Sequence, residues 1–192
     1  MGLGSESAIS AMSVMFPMVP GRICGKLGDA VCPIPMSYKI PESVLVVIHT
    51  PDLQVLLIER ADRPGYWQSV TGSLDTPDEP LALTAAREVA EETGLIAAEH
   101  QLDDWNHTIE YEIYPQWRHR YAPGVTRNTE HWFGLRVAQP LPVTLAPREH
   151  LQYQWLPWRE AAALCFSSSN AEAVLQLGWR VRGQRAACGA DL

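Results

Sequence analysis

The chain has 192 residues, of which 46% are hydrophobic and 19% are charged, and its formal net charge is -7. This length suffices for one domain with a substantial core. The acidic balance argues against general nucleic-acid binding, which needs a basic surface. No apolar run approaches the ~20 residues of a membrane span, and the scattered cysteines show no zinc spacing, which favours free thiols and a cytoplasmic location.

The first part of the chain, residues 1–36, has scattered methionines and prolines and no sustained hydrophobic period. No Lys or Arg precedes its apolar patch and Pro17 interrupts it, so a secretory signal is not indicated. We predict a disordered leader, or an incorrectly assigned translation start with Met36 as the true initiator. A single domain is predicted over residues 37–178, followed by a frayed tail at 179–192.

Strand and helix patterns fill this domain and predict an α/β fold. Alternating or β-branched segments predict strands over residues 43–50, 54–60, 67–71, 108–114, 130–137 and 153–156. A further strand is predicted to start at Leu95, followed by a polar connection over residues 101–105. Helices are predicted over residues 81–93, 157–164 and 170–178.

The helix over residues 81–93 belongs to the most informative stretch, TGSLDTPDEPLALTAAREVAEETGL, at Thr71–Leu95. Asp78 is an acceptable N-cap and Pro80 fits the first turn. Gly94 supplies a C-terminal stop, where a left-handed residue is preferred. The turn residues before the helix allow the backbone to pass close to a ligand.

Three carboxylates, Glu88, Glu91 and Glu92, fall on one face of this helix, within an arc of roughly 100°. Carboxylates this close repel one another unless a cation lies between them. A hard divalent ion such as Mg²⁺ takes oxygen ligands and keeps open positions for phosphate oxygens. Arg87, four residues before Glu91, can hold that carboxylate through a charge-assisted bond. The alternative interpretation is an ordinary solvated helix face.

The offsets of this stretch resemble the Nudix box, G-x5-E-x7-R-E-U-x-E-E-x-G-U, in which U is apolar. Glu79 is followed by seven residues and then by the run REVAEETGL at Arg87–Leu95. One departure is that six residues, not five, separate Gly72 from Glu79. The extra residue lies in the loop around Thr76-Pro77, so the helix register is intact.

This resemblance implies an α/β/α sandwich around a mixed sheet and metal-dependent hydrolysis of a diphosphate linked to another moiety. By analogy with the family, Glu88 and Glu92 are the first metal ligands, and Glu91 is either the base or a further ligand. Arg87 belongs to the same catalytic group. Many Nudix enzymes recruit another carboxylate from a later loop, and Glu149 is the best-placed candidate. The implied cofactor is Mg²⁺, with Mn²⁺ as the alternative.

A basic segment, QWRHRYAPGVTRNT at residues 116–129, contains Arg118, Arg120 and Arg127 in an otherwise acidic chain. Together these arginines can neutralise a polyphosphate, although a solvated basic loop is the alternative for any one of them. On the preceding strand, Glu110 and Glu112 share a face. If that face lines a pocket, a carboxylate there could accept paired N–H donors from a heterocycle.

The resemblance extends to the bacterial dihydroneopterin triphosphate pyrophosphohydrolases, through Tyr38-Lys39, Trp67–Ser73, Arg118–Glu130 and Glu149-His-Leu. It implies conversion of 7,8-dihydroneopterin triphosphate to the monophosphate and pyrophosphate, in folate synthesis. Matching positions imply substrate contacts at Lys39, Arg60, Thr71, Tyr111, Glu112, Ile113, Tyr114 and Ser167. A nucleotide-pool Nudix hydrolase and a catalytically silent Nudix binding module remain as alternatives. The expected partner is thus a small-molecule triphosphate, and the oligomeric state stays open.

Overall fold

The structure, a computed structural model, describes the backbone of residues 38–187 and the side chains of residues 38–181. The predicted leader, residues 1–36, and the last residues of the predicted tail lie outside the described residues. Among the helices of the described part, none is long and apolar enough to cross a membrane.

Within residues 38–187, seven strands form one sheet. They are β1 (Glu42–His49), β2 (Gln54–Arg60), β3 (Trp67–Gln68), β4 (Val70–Ser73), β5 (Gln101–Glu112), β6 (Arg127–Arg136) and β7 (His150–Pro157). The main order is β3-β2-β1-β6-β5, while β4 pairs with β1 and β7 pairs with β2. Since β1 and β6 run parallel and the other pairs are antiparallel, the sheet is mixed, as predicted.

Three helices cover the sheet: α1 (Leu81–Thr93), α2 (Trp158–Leu164) and α3 (Ser168–Ala187). Side chains alternate across β1, so Val44 and Val46 pack with Val89 of α1, whereas Leu45 and Val47 pack in a second cluster with residues of α2 and α3. Burial on both faces explains why β1 is an almost continuous apolar run. The predicted α/β/α sandwich is therefore confirmed.

Some predicted element boundaries are wrong. Helix α3 does not end at Gly178, because Leu177 and Val181 pack into the second core cluster and the helix continues to Ala187. The N-cap of α1 is Pro80 rather than Asp78. The predicted C-terminal stop is confirmed, since Gly94 is left-handed with φ 72°.

The strand predicted at Leu95 is also wrong, since a short 3-10 turn occupies Ala97–Glu99. Strand β5 begins at Gln101, inside the predicted polar connection. Because β5 lies at one end of the sheet order, its polar residues can face solvent while its backbone still pairs with β6.

Strand β1 changes its antiparallel partner along its length, and this opens one end of the sheet. Its first half pairs with β4, whereas His49 pairs with Val55 of β2. At the open end Ser43 lies between Ser73 of β4 and Glu130 of β6. The loop that leads into α1 therefore starts next to the parallel pair β1–β6.

Candidate active site

A cavity of about 600 Å³ lies at this end of the sheet. Predicted site residues that line it are Lys39, Arg60, Thr71, Glu88, Glu92, Tyr111, Glu112, Ile113, Tyr114, Arg120, Glu149 and Ser167. The other predicted residues, Arg87, Glu91, Arg118 and Arg127, are not part of this lining. The sequence motifs therefore meet in one place, although not every residue within them faces the cavity.

Glu88 and Glu92 reach the cavity from successive turns of α1. The Glu88 side chain is 12% exposed and Glu92 is buried. Glu92 is fixed by the backbone N–H of Thr71, which donates to its Oε2 at 3.3 Å. Two carboxylates one turn apart, held against β4 and facing a cleft, match the predicted pair of metal ligands.

Gly72 is required by the close approach of Glu88 to β4. A Cβ at position 72 would overlap the carboxylate group of Glu88. Any larger residue there would push Glu88 away from the cavity. The glycine at the start of the motif is thus explained by the position of a glutamate sixteen places later in the chain, not by an unusual φ angle.

Arg87 lies behind the cavity and holds the motif together. Its guanidinium bonds Glu79 at 3.0 Å, Glu88 at 2.8 Å and the carbonyl of Ser73 at 3.0 Å. These contacts lower the pKa of Glu79 to about 2 and raise the pKa of Arg87. Glu79 also accepts from the backbone N–H of Asp75 at 2.7 Å, so the Arg87–Glu79 ion pair and this bond close the loop that has one extra residue.

Glu91 does not reach the cavity. Its side chain is 58% exposed and contacts Arg87 at 3.4 Å. The predicted contact between Arg87 and Glu91 therefore exists, but Glu79 and Glu88 are the closer partners of Arg87. Glu91 as catalytic base or metal ligand stays a prediction.

Glu149 and His150 join Glu92 from the start of β7. One ligand atom from each of these residues lies within 4.8 Å of the others. His150 is buried, and its Nε2 lies 3.3 Å from Glu92 Oε1. His150 Nδ1 has no hydrogen bond to any described residue. The sequence predicted Glu149 as a site residue but not His150, although the two are adjacent in the chain.

The electrostatics of this end favour a cation. Burial, and then the nearby Glu92 carboxylate, raise the pKa of Glu88 to about 7, against the opposing effect of Arg87. Burial likewise raises the pKa of Glu92, opposed by His150. Buried carboxylates that repel one another, with the His150 imidazole 3.3 Å from Glu92, form a donor set that fits a divalent metal ion.

Four cationic side chains, Lys39, Arg60, Arg120 and Arg148, line the same cavity. Arg60 is oriented by Asp62 at 2.8 Å and by Gln68 at 3.1 Å. Arg120 lies 3.6 Å from Asp62. In contrast, Arg118 pairs with Glu112 and Arg127 pairs with Glu110, and neither arginine lines the cavity.

Aromatic side chains form another part of the cavity lining. Tyr114 meets Trp117 edge-on at 5.5 Å between ring centroids, and Trp117 meets Phe166 at 6.0 Å. Arg60 lies over Trp117 at 4.8 Å. This surface suits a flat ring. Of these aromatic residues the sequence predicted Tyr114 alone, because Trp117 and Phe166 belong to turns without a periodic pattern.

Glu130 is a site residue that sequence reasoning missed. It lines the cavity, is only 3% exposed, and accepts a hydrogen bond from Trp132 Nε1 at 3.1 Å. Burial raises its pKa to about 7. The available signal was strand alternation, since Glu130 and the fully buried Trp132 share one face of β6.

Comparisons with known proteins agree with this geometry. The NUDIX domain model matches residues 39–177. The dihydroneopterin triphosphate diphosphatase of Escherichia coli K12 is 46% identical over 142 residues, covering 72% of this chain and 93% of that protein. The Haemophilus influenzae protein of the same name is 41% identical over 150 residues, covering 77% and 93%.

Solved structures give the same result. The E. coli dihydroneopterin triphosphate pyrophosphohydrolase superposes with a TM-score of 0.68 and covers 72% of this chain and 95% of its own, at 46% identity. A putative NUDIX hydrolase from Listeria monocytogenes, at 21% identity, gives 0.64 with coverage of 76% and 97%, which shows the fold alone. The chain belongs to the Nudix family.

Proposed function

We propose that this chain is a metal-dependent pyrophosphohydrolase that converts 7,8-dihydroneopterin triphosphate to dihydroneopterin monophosphate and pyrophosphate. One observation carries the proposal: a single cavity joins a carboxylate cluster on the Nudix motif to an aromatic surface. The first suits a metal-bound phosphate chain and the second suits a flat heterocycle. The names of the two relatives at 41–46% identity support this choice of substrate.

Nudix hydrolases generally need a divalent metal ion, and we propose Mg²⁺, with Mn²⁺ as the alternative. Glu88, Glu92 and Glu149 would hold the ion, with His150 at the edge of the cluster. When bound, such an ion neutralises phosphate charge and acidifies water. The buried, mutually repelling carboxylates lose their repulsion in that state, which is the physical reason to expect tight binding.

The remaining residues bind, orient and exclude water. Lys39, Arg60, Arg120 and Arg148 neutralise the triphosphate in a protein of net charge -7. Arg87 fixes Glu88 without touching the substrate, so we assign it a positioning role rather than direct catalysis.

In the proposed reaction a water oxygen attacks phosphorus, the anhydride bond between the α- and β-phosphates breaks, and pyrophosphate leaves. The water proton passes to a carboxylate. Glu149 lines the cavity and Glu91 does not, which favours Glu149 for this role, whereas the motif resemblance favours Glu91. Glu149 can also hold the metal ion, so Glu91→Gln and Glu149→Gln are compared at saturating Mg²⁺. Loss of the proton acceptor then lowers kcat and flattens the acidic limb of the pH profile even with the metal site filled.

The experiment that tests the function is pyrophosphate release with Mg²⁺, comparing dihydroneopterin triphosphate with a panel of deoxynucleoside triphosphates under one protocol. We expect kcat/KM for the pterin to exceed the others by orders of magnitude. Equal or better turnover of a deoxynucleoside triphosphate would instead indicate a Nudix hydrolase of the nucleotide pool. No release by folded, metal-loaded protein would support a binding module. A cytoplasmic location fits this role and stays a prediction.

A further inference from the structure

Glu130 is a buried carboxylate that the proposed phosphate chemistry does not use. It belongs to β6, whereas the metal-binding glutamates come from α1 and from the start of β7. Among the described residues, none of the ion pairs includes Glu130. A carboxylate 3% exposed without a cationic partner costs free energy unless hydrogen-bond donors satisfy it.

The protein supplies only part of the hydrogen bonding that Glu130 can accept. Trp132 Nε1 donates to Oε1 at 3.1 Å, and the hydroxyl of Ser169 is a second partner. A carboxylate offers about four acceptor positions on its two oxygens. Glu130 can therefore accept further hydrogen bonds from a ligand in the cavity that it lines.

The surroundings indicate what kind of donor belongs there. Tyr114, Trp117 and Phe166 line the same cavity and offer ring faces. The strand register places Ser43 between Ser73 of the Nudix loop and Glu130. Two strand spacings amount to about 10 Å, a separation suited to a bicyclic ring on a short side chain with its phosphates at the metal end.

We propose that Glu130 accepts the paired N–H donors of a 2-amino-lactam ring edge, and that it thereby selects pterin-like and guanine-like rings over other heterocycles. This inference rests on the proposed function, which supplies the triphosphate substrate, and it adds the residue that determines which ring is bound. A ring edge with two parallel N–H donors matches a carboxylate as a guanidinium does. A ring edge with one donor, or with an acceptor facing Glu130, leaves the buried carboxylate unsatisfied.

Glu112, the carboxylate that the sequence suggested for this contact, is in a different setting. Its side chain is 69% exposed and pairs with Arg118. Water and a guanidinium already satisfy it. We therefore assign the contact with the ring N–H donors to Glu130 on β6 and not to Glu112 on the neighbouring strand β5.

A first test needs no substitution. Equilibrium binding and kcat/KM are measured on the wild-type holoenzyme for dGTP and dITP, which differ only in the 2-amino group. The same comparison is made for dihydroneopterin triphosphate and its 2-desamino analogue. We expect the compound with the amino group to be favoured about 10- to 100-fold in each pair. Ratios within about twofold of one in both pairs would overturn the proposal.

The second test is Glu130→Gln, with Glu110→Gln as the matched control, since Glu110 is a strand glutamate outside the cavity lining. The Gln amide presents one acceptor oxygen and one N–H donor group, so it cannot match two parallel N–H donors as a carboxylate does. The ratio of kcat/KM for dGTP to that for dITP should therefore fall toward one, while dATP is affected less than dGTP. A uniform fall for dGTP, dITP and dATP would assign Glu130 a structural role only and overturn the proposal.

The two failures are distinguishable. If pterin triphosphate is a poor substrate but dGTP still exceeds dITP, the assignment of the pterin fails and the role of Glu130 stands. If the pterin is strongly preferred but the amino group and Glu130→Gln change nothing, the pyrophosphohydrolase assignment stands and the role of Glu130 fails.

Discussion

Two parts of the cavity lining, a carboxylate part (the phosphate end) and an aromatic part with Glu130 (the ring end), are built in different ways. The phosphate end comes from one continuous stretch, the loop and helix from Thr71 to Gly94, with a short addition from Glu149-His150. The ring end is assembled from β5, β6, the 115–120 turn and the start of α3. A metal cluster can be encoded by the periodicity of one helix, whereas a ring pocket needs side chains that only the tertiary fold brings together. Substitutions should therefore act on metal and turnover at one end and on ring choice at the other.

The largest effect is expected for Glu92→Gln at the phosphate end. Glu92 is buried against Thr71 and His150, and its loss removes a proposed metal ligand together with its charge. We expect kcat/KM to fall about 10³-fold, equivalent to several kcal/mol of transition-state stabilisation. Steady-state pyrophosphate release measures it, with Glu172→Gln on the exposed face of α3 as the control. Activity within tenfold of wild type would contradict the ligand assignment.

At the ring end, the metal-free protein should show a stability effect of Glu130. The folded-state pKa is about 7, above the usual 4.5, so the folded state holds this proton more tightly than the unfolded chain. The stability that the protonated Glu130 contributes to the folded state is fully present below about pH 4.5 and is lost as the pH rises through 7. As the pH rises from 4.5 to 8, the free energy of unfolding of Glu130→Gln should therefore increase relative to that of the wild type by on the order of 3 kcal/mol.

Urea unfolding at pH 5 and at pH 8 measures this gain. Glu110→Gln serves as control, because its carboxylate is about half exposed and paired with Arg127. Parallel pH dependences for the wild type and Glu130→Gln would show that Glu130 titrates normally.

Gly72→Ala should damage the phosphate end while leaving the fold intact. The added methyl overlaps the Glu88 carboxylate, which must swing out of the cavity. A displacement of about 1 Å at a reacting centre can cost about 10²-fold in rate. Activity and the melting temperature should be measured together, since a fall in kcat with little change in Tm assigns the effect to Glu88. Unchanged activity would show that Glu88 can relocate without loss.

His150→Gln probes the part of the phosphate end that the sequence did not reveal. We expect a fall of about 10- to 100-fold in affinity for Mn²⁺, used as a paramagnetic probe of the metal site, because a residue beside a metal ligand tunes that ligand. Binding is followed by electron paramagnetic resonance at fixed pH. An unchanged affinity for Mn²⁺ would show that His150 only packs against its neighbours and does not influence metal binding.

The different construction of the two ends explains which features could be predicted from the sequence and which could not. Helix periodicity placed Glu88, Glu91 and Glu92 on one face, and the family resemblance selected Glu88 and Glu92, the two that line the cavity. The C-cap at Gly94 followed from the preference for glycine in left-handed conformation. Arg118 and Arg127 looked equivalent to Arg120 in the sequence, yet only Arg120 reaches the cavity, because a turn and a strand aim neighbouring side chains differently. Phe166, in the connection between α2 and α3, and Glu130, on β6, lie 36 positions apart in the chain, yet both line the cavity. Helix α3 itself passes Gly178 because tertiary packing outweighs the local glycine cost.

The smallest effect separates those arginines. Arg127 and Glu110 form an ion pair at 2.8 Å in which each side chain is 56% exposed, and such pairs contribute about 0–1 kcal/mol. Arg127→Ala should change kcat/KM by no more than about twofold. Arg120→Ala, which removes a cation from the cavity lining, should raise KM about tenfold, since a charged hydrogen bond contributes about 1.5–3 kcal/mol at most when it is buried. Equal losses for both variants would mean that the triphosphate extends along β6 beyond the cavity, and the assignment of the phosphate end to α1 and β7 would have to be widened.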